Sequence, residues 1–559
     1  METCATRVRI ITKAMRLFSL VAAVVIPAAK LAAGGFYYNC EGDSGTFESS
    51  ENWYVENVVQ ATFPGENDDI CCTNGLKSVR FASPGTSHSV ARVTLDKVNV
   101  NNQKLAIDMN GGELHVAGPV AMVASRYAAG VVQPYFCVTN GTLYAESGID
   151  AGRDDNNYHG TFEAFGSDTH VVVGAGNFLV KGHNSTVNIG EGASVTWAGK
   201  GYLSMENGNN GYFTGEDAVA KFNLTGAGTT LECTNGFRVC NNARLRVADK
   251  AVVEMSGFST VGEYGHKDRN SIGIEAGVVG TSGAVVEIDD ATFSITNGAC
   301  VMVAESSSQA LAGHEFIVKN GGTFNFSGNT QFFLGFVQNP GYPATNNCLR
   351  VYSGARFSSD GNEVQGEDTD VGSIMVGGSG CCYDNGIHVS NGVVSVNHIT
   401  LGGNENASNN WLRIEGRASR ILLNQKDASF GNRTWSRRNP ALGIHNNARV
   451  EFVLGPDGFD NVPIEFTTTV GNVYGLQGEG QKAQIVVEER GFAHSHANES
   501  ITLIKTLNAN NRKFLAQLAL DAVVVADREC DVGEFSVSED GTSLLYTTPK
   551  KSGMVIVVR

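Results

Sequence analysis

The sequence predicts an all-β chain folded as a parallel β-helix (solenoid), with a β-rich N-terminal cap and a β-rich C-terminal closing region. Three observations carry this. One short phrase, apolar-x-apolar-x-Asn/Ser-Gly, recurs along the chain. Glycine is abundant and proline scarce, 67 against 11, which suits frequent turns between short strands and neither collagen nor a proline-rich linker. The 559 residues exceed what one compact core holds, so a repeat array or several domains is expected.

Residues 1–35 read as a signal peptide. Arg7, Arg9, Lys13 and Arg16 form a basic start. Leu17 to Ile26 is an apolar run, shorter than the roughly 20 residues a membrane-spanning helix needs. Small residues follow at Ala28, Ala29, Ala32, Ala33 and Gly34, interrupted by Lys30, which blurs the cleavage site. An uncleaved anchor is the alternative. No later segment is long and apolar enough to cross a membrane, so none is expected in the mature chain.

Residues 36–118 are expected to form the N-terminal cap and first coils, residues 119–446 the repeats, and residues 447–559 the closing region. The phrase stands at Phe136–Gly141, Leu231–Gly236, Phe293–Gly298, Phe316–Gly321, Leu349–Gly354 and Ile387–Gly392. Val187–Gly192 replaces Asn with Glu, and Leu412–Gly416 is contracted. Period-two alternation turns one set of side chains inward. Asn and Gly then tolerate the positive φ of a sharp turn. A second short strand usually follows, as at Thr323–Phe326 and Val393–Val396.

Asn-Gly between strands is also a hairpin signal, so an antiparallel meander, sandwich or propeller is the competing architecture. Spacing favours the solenoid. Gly298 to Gly321 and Gly392 to Gly416 are each about one β-helix coil apart, and Gly192 to Gly236 fits two coils with one degenerate. A single unit buries too little apolar surface to offset its backbone entropy, so units must stack. The polar stretches 153–160, 207–216, 264–272, 338–347 and 404–410 read as loops leaving the corners, where function is expected.

The two ends carry a resemblance. Gly45-Thr-Phe-Glu-Ser-Ser-Glu-Asn-Trp53 precedes Phe63-Pro-Gly-Glu-Asn-Asp-Asp-Ile70, and alternating strands follow at 91–95, 105–109 and 111–116. This resembles the start of bacterial autotransporter-like (pectin-lyase-like) β-helix surface or secreted proteins, where an Asn-Trp pair and a Pro-Gly-x-x-Asp turn precede the coils. Ala448–Gly455, Ala483–Val487 and Ile501–Thr506 are similar to their closing strands, and Asp540-Gly541-Thr542 reads as a turn between the last two. No long amphipathic stretch for an outer-membrane barrel follows. The resemblance implies an exported or surface-displayed protein, usually without assigned activity.

Solenoids of this kind also host polysaccharide lyases and hydrolases. Cleaving a glycosidic bond takes two carboxylates facing one sugar. Asp68–Asp69 belongs to the N-terminal turn, and Asp289–Asp290 fits a polar turn between strands. Asp154 and Asp155, with Arg153 before them and His159 after, are the strongest catalytic candidates, though a solvated loop explains them as well. The polygalacturonase-type set is broken: Gly182-His183-Asn184 and Gly313-His314-Glu315 stand where Gly-His-Gly is wanted, and Arg-Ile-Lys is missing.

Metal chemistry is weaker still. His494 and His496 alternate and would share one side of a strand, a zinc hint without a third ligand. Twelve cysteines become an odd eleven if Cys4 leaves with the signal, and their connectivity is not readable. Cys233, at an apolar position of the phrase, reads as a small core residue. No phosphate loop or nucleophile elbow occurs, and no cofactor is expected. Asn140, Asn184, Asn223, Asn325, Asn406, Asn432 and Asn498 begin Asn-x-Ser/Thr triplets, as chance alone produces in an Asn-rich chain. The net charge of −16 argues against a nucleic-acid partner.

The expectation is therefore a non-catalytic exported or cell-surface β-solenoid with a structural or adhesive role. Its expected partner is extracellular polysaccharide or a host or cell-surface glycan. The alternative is a polysaccharide-binding or polysaccharide-cleaving β-helix protein.

Overall fold

Alternation does what it promises. Strand after strand buries every second residue, as in Lys221–Thr225, Val285–Asp289, Glu315–Lys319 and Trp411–Glu415. A computed structural model describes residues 37–550 apart from segments between strands. The longest of these are 96–102, 126–133, 207–218, 257–270, 276–282, 360–371, 425–441 and 475–481, and 153–157 is among the shorter ones.

The described strands form a three-faced parallel β-helix. The first face runs through Thr186–Gly190, Lys221–Thr225, Arg244–Ala248, Val285–Asp289, Glu315–Lys319, Cys348–Tyr352, Gly386–Ser390 and Trp411–Glu415, each in parallel register with the next. The second face stacks Thr230–Cys233, Val252–Ser256, Thr292–Thr296 and Thr323–Phe326. The third stacks Cys300–Ser306, Gln331–Val337, Ser373–Ser379 and His398–Leu401.

Inward residues form continuous columns. Phe136, Phe162, Val187, Phe222, Leu245, Val286, Phe316, Leu349, Ile387 and Leu412 follow one another up the first face, all fully buried. Four rings from two successive coils meet in the lumen. Phe316 of the first face lies 4.8 Å from Phe324 of the second, and Phe332 of the third lies 5.0 Å from Phe357. Edge-on and tilted pairs at these distances add to plain burial.

The recurring phrase occupies two different corners, which corrects its spacing. Most copies end at the corner between the first and second faces, where Asn140, Glu191, Asn320, Ser353 and Asn391 hold φ between 52° and 54°. Leu231 and Phe293, however, lie on the second face, stacked with Val253 and Phe324. The step from Gly298 to Gly321 is therefore not a coil. The stacked neighbours there are Val286 and Phe316, 30 residues apart. Likewise Val187 stacks directly on Phe222, so Gly192 to Gly236 spans one coil and one further face, not two coils. Gly392 to Gly416 does mark a coil, because Ile387 stacks on Leu412. Coil length varies widely: Phe222 to Leu245 takes 23 residues and Leu245 to Val286 takes 41.

At the N-terminal end, Tyr37–Cys40 pairs antiparallel with Trp53–Val55, which pairs antiparallel with Val58–Val59. The Trp53 indole donates to the Phe47 carbonyl at 2.6 Å, and the Gly65 N–H donates to Asp68 at 2.9 Å, closing the Pro-Gly-x-x-Asp turn. At the other end the parallel stack continues past residue 446 through Arg449–Leu454, Gln484–Glu489 and Val523–Ala526. Antiparallel closure comes only with Ser500–Lys505, Glu534–Val537 and Ser543–Thr547. The Asp540 carboxylate caps the last turn, accepting from the Thr542 N–H at 3.0 Å. A helix at Arg512–Leu520, buried through Leu515 and Leu518, also packs there, which alternation alone does not foretell.

Candidate functional site

The outward side of the first face gathers charge from several coils. Glu315 and Lys319, Arg350 and Tyr352, His388 and Ser390, Arg413 and Glu415, Arg449 and Glu451, and Gln484 and Glu488 face out from successive strands, and the stacking step sets successive coils about 4.8 Å apart. Partners distant in sequence thus become neighbours. Arg350 Nε donates to Glu315 at 2.7 Å. Arg413 donates to Glu451 at 3.0 Å and to Glu488 at 2.8 Å, 75 residues away along the chain. Arg490 joins Glu415 at 3.0 Å and Glu488 at 2.8 Å, and Arg449 pairs with Glu451.

Inside this network lies a polar relay. Arg350 Nη1 donates to the Tyr352 hydroxyl at 2.8 Å. That hydroxyl is in turn hydrogen-bonded to His388 Nδ1 at 2.8 Å. His388 Nε2, on the other side of the ring, lies 3.4 Å from Glu415. Burial raises the Tyr352 phenol above its ordinary range, outweighing the Arg350 charge. Burial, helped by Arg413 and Arg350, lowers His388 despite Glu415. Glu488 is partly desolvated, yet hydrogen bonds from Arg490 and Arg413 hold it below the usual carboxylate range.

Beside the relay sits an aromatic surface. The Trp411 indole lies flat on Gly386, so closely that a Cβ there would come within 2.1 Å of the ring. Its Nε1 donates to the Asp384 carbonyl at 3.3 Å. Tyr383, next to Asp384, is exposed.

A second, buried array runs up the corner between the third and first faces. Asn347, Asn385 and Asn410 are wholly buried, and His314 heads the column. Asn385 Oδ1 accepts from the Asn347 N–H at 3.1 Å and from Asn347 Nδ2 at 2.8 Å. Asn410 Oδ1 accepts from the Asn385 N–H at 3.1 Å, while Asn385 Nδ2 donates to the Ala344 carbonyl at 3.0 Å. His314 donates its own N–H to Asn347 at 3.0 Å and takes the Ala284 N–H on Nδ1 at 3.3 Å. Its Nε2 has no partner among the described residues. Burial pushes the imidazole down to about 4.

Asp154 and Asp155 lie outside the described residues. The His159 backbone is in the short strand Tyr158–His159, antiparallel to Ala124–Ser125. His494 and His496 are not on a strand. The preceding strand ends at Glu489, and Gly491 at φ 97° then starts a helical turn, Phe492–Ser495. His494 is therefore exposed, while His496 stacks on Phe492 at 4.2 Å. Among the described residues no three His, Cys, Asp or Glu side chains converge as a metal site. Asp289, of the pair Asp289–Asp290, is partly desolvated, but Asn320, Lys319 and Arg246 outweigh this and hold it ionised. Asp69 receives the Arg92 guanidinium at 3.0 Å. Cys233 lies in the core, its thiol driven up by burial.

The charged flank is invisible to a search for adjacent residues, because its partners come from different coils. The buried array has a signal: Asn347-Cys-Leu349, Asn385-Gly-Ile387 and Asn410-Trp-Leu412 each place Asn two residues before an inward one. Two of these fall in stretches 338–347 and 404–410, read above as loops. Part of the first is instead strand Ala344–Thr345, paired with Leu311–Ala312 and Cys382–Tyr383. The fold and flank define a three-faced parallel β-helix with a neutralised charge ladder. No protein-family model matches the chain, and no curated protein or solved structure is significantly similar to it.

Proposed function

We propose that this chain is an exported, non-catalytic β-solenoid with a structural or adhesive role at the cell surface, allied to the autotransporter-like β-helix proteins its ends resemble. The observation that carries the reading is the saturation of the flank. Arg350, Arg413, Arg449 and Arg490 each bridge to a glutamate of the same or another coil. These bridges zip coils together and leave a surface of balanced charge. The shifts also run against acid–base work, which wants a carboxyl raised or a base near neutrality. Glu488 is held down, Tyr352 stays a phenol, and His388 Nδ1 is occupied. A flat indole edged by hydrogen-bonding groups suits contact with an extracellular polysaccharide or cell-surface glycan. Among the described residues no helix is long and apolar enough to cross a membrane.

The test is a glycan array and a cell-binding assay, run beside incubation with pectin, alginate and other uronans. The expected result is binding without release of unsaturated sugars or reducing ends. Trp411→Ala, and Gly386→Ala through displacement of the ring, should each weaken binding roughly tenfold. Product release abolished by Tyr352→Phe or His388→Asn would overturn the non-catalytic reading. Failure to bind any glycan or cell would remove the adhesive role and leave the structural one.

A further inference from the structure

We propose that Cys40 and Cys72 form a disulfide that ties the N-terminal capping strand to the first coil. Tyr37–Cys40 runs parallel to Asp69–Cys71 with Tyr37 opposite Asp69, Tyr38 opposite Ile70 and Asn39 opposite Cys71. One further step in the same register sets Cys40 opposite Cys72. Both are fully buried and belong to the same hydrophobic core as Ile70, whereas Cys71 between them is buried but outside it. Alternation therefore puts Cys40 and Cys72, and not Cys71, on one side.

The distances fit. Neighbouring strands lie about 4.8 Å apart, inside the roughly 4.4–6.8 Å range of Cα separations that disulfides span. The Cβ atoms must approach to about 3.5–4.5 Å. Cys72 lies beyond the last residue of its strand, so this approach breaks no strand pairing. On its other side Cys40 pairs antiparallel with Trp53. The bond would thus anchor the cap strands, which shield the first coil, to the coil itself. In the structure both residues are thiols.

The chemistry is thiol–disulfide exchange. One cysteine, as thiolate, attacks an oxidised partner such as glutathione disulfide or the disulfide of a folding catalyst. The second then displaces the partner's thiolate. Two protein S–H bonds are lost and one S–S bond forms, and the acceptor disulfide leaves as two thiols. Because both sulfurs are buried in the finished core, the exchange belongs to folding, before the cap closes. A supply of oxidant rests on the exported setting proposed above. The geometry does not.

The mature chain should be refolded in a mixture of oxidised and reduced glutathione, alkylated in denaturant, digested and mapped by mass spectrometry. The expected result is a linked peptide pair containing Cys40 and Cys72, retained in Cys71→Ser and absent from the double variant Cys40→Ser/Cys72→Ser. Wild-type protein refolded with reductant throughout should be cleaved within residues 37–72 about tenfold or more faster than the same protein refolded with the glutathione mixture, a readout that does not depend on any variant folding. Refolded protein with native circular dichroism but both thiols alkylated would overturn the proposal, as would a Cys40–Cys71 bond. A bond that forms in the buffer, with both thiols reduced in protein recovered from its own cell, would support the geometry and overturn the exported setting.

Discussion

Asparagine stands at two corners of this solenoid and does opposite work there. At the corner between the first and second faces, Asn140, Asn320 and Asn391 are used for their backbone, which accepts φ near 54°. Their side chains face outward and make rim contacts: Asn140 donates to Asp108 at 3.2 Å, Asn320 to Asp289 at 2.7 Å, and Asn391 accepts from the Ala418 N–H at 3.3 Å. Glu191 and Ser353 serve in the same conformation. At the corner between the third and first faces, Asn347, Asn385 and Asn410 are used for their amides, which satisfy one another in the dark of the core. The first corner chiefly needs a residue that can turn, since its side-chain bonds lie at the exposed rim. The second needs a donor and an acceptor at each level, because an unsatisfied buried polar group is costly.

The sharpest way to break this contrast is Asn385→Leu. It strips partners from the Asn347 N–H, the Asn347 amide and the Ala344 carbonyl, and should cost about 3–5 kcal/mol in chemical denaturation. A loss below about 1 kcal/mol would show that the amide ladder is incidental.

Next in size is the pH dependence at the head of the ladder. His314 is held neutral, its folded pKa of about 4 lying below the ordinary 6.5. Between those values the unfolded chain binds a proton that the folded chain refuses. Stability is therefore complete above about pH 6.5 and falls as pH drops towards 4, by on the order of 3 kcal/mol from this group. His314→Asn would extend the ladder chemically while removing the titration. Its denaturation midpoint should vary less between pH 7 and 4 than that of the parent, and an unchanged slope would clear His314 of the effect.

The smallest effect belongs to the turning corner. Asn391→Ala should cost about 1 kcal/mol, the penalty for a Cβ-bearing residue without a compensating side chain at positive φ. Asn391→Gly should be close to neutral by thermal denaturation. If glycine proved as damaging as alanine, the side chain at this corner would matter more than its backbone.

These corners also show what could be read from residues alone. The fold class was legible, since alternation and Asn-Gly turns are local. Which face a phrase belongs to was not, because Leu231-Glu-Cys-Thr-Asn-Gly236 and Phe316-Ile-Val-Lys-Asn-Gly321 read alike, while stacking sends one to the second face and the other to the first. The flank was hidden for a related reason. Arg413 and Glu488 are neighbours only because stacking brings their strands together across the single intervening strand Arg449–Leu454. A search for acid and base within one loop finds Asp154 and Asp155, which lie outside the described residues, and has no means of finding His388 beside Glu415, which meet only through stacking. The alternation of His494 and His496 does not reflect a strand, because the strand ends at Glu489 and a helical turn begins after Gly491.

Coil length varies from 23 to 41 residues while the strands stay in register. Position along the axis is thus counted in coils and not in residues. Excising the 41-residue coil or the 23-residue one would shorten the molecule by the same amount, about 4.8 Å. The chain works as a graduated ruler, on which material added at a corner changes what is displayed at a given height without moving any other mark.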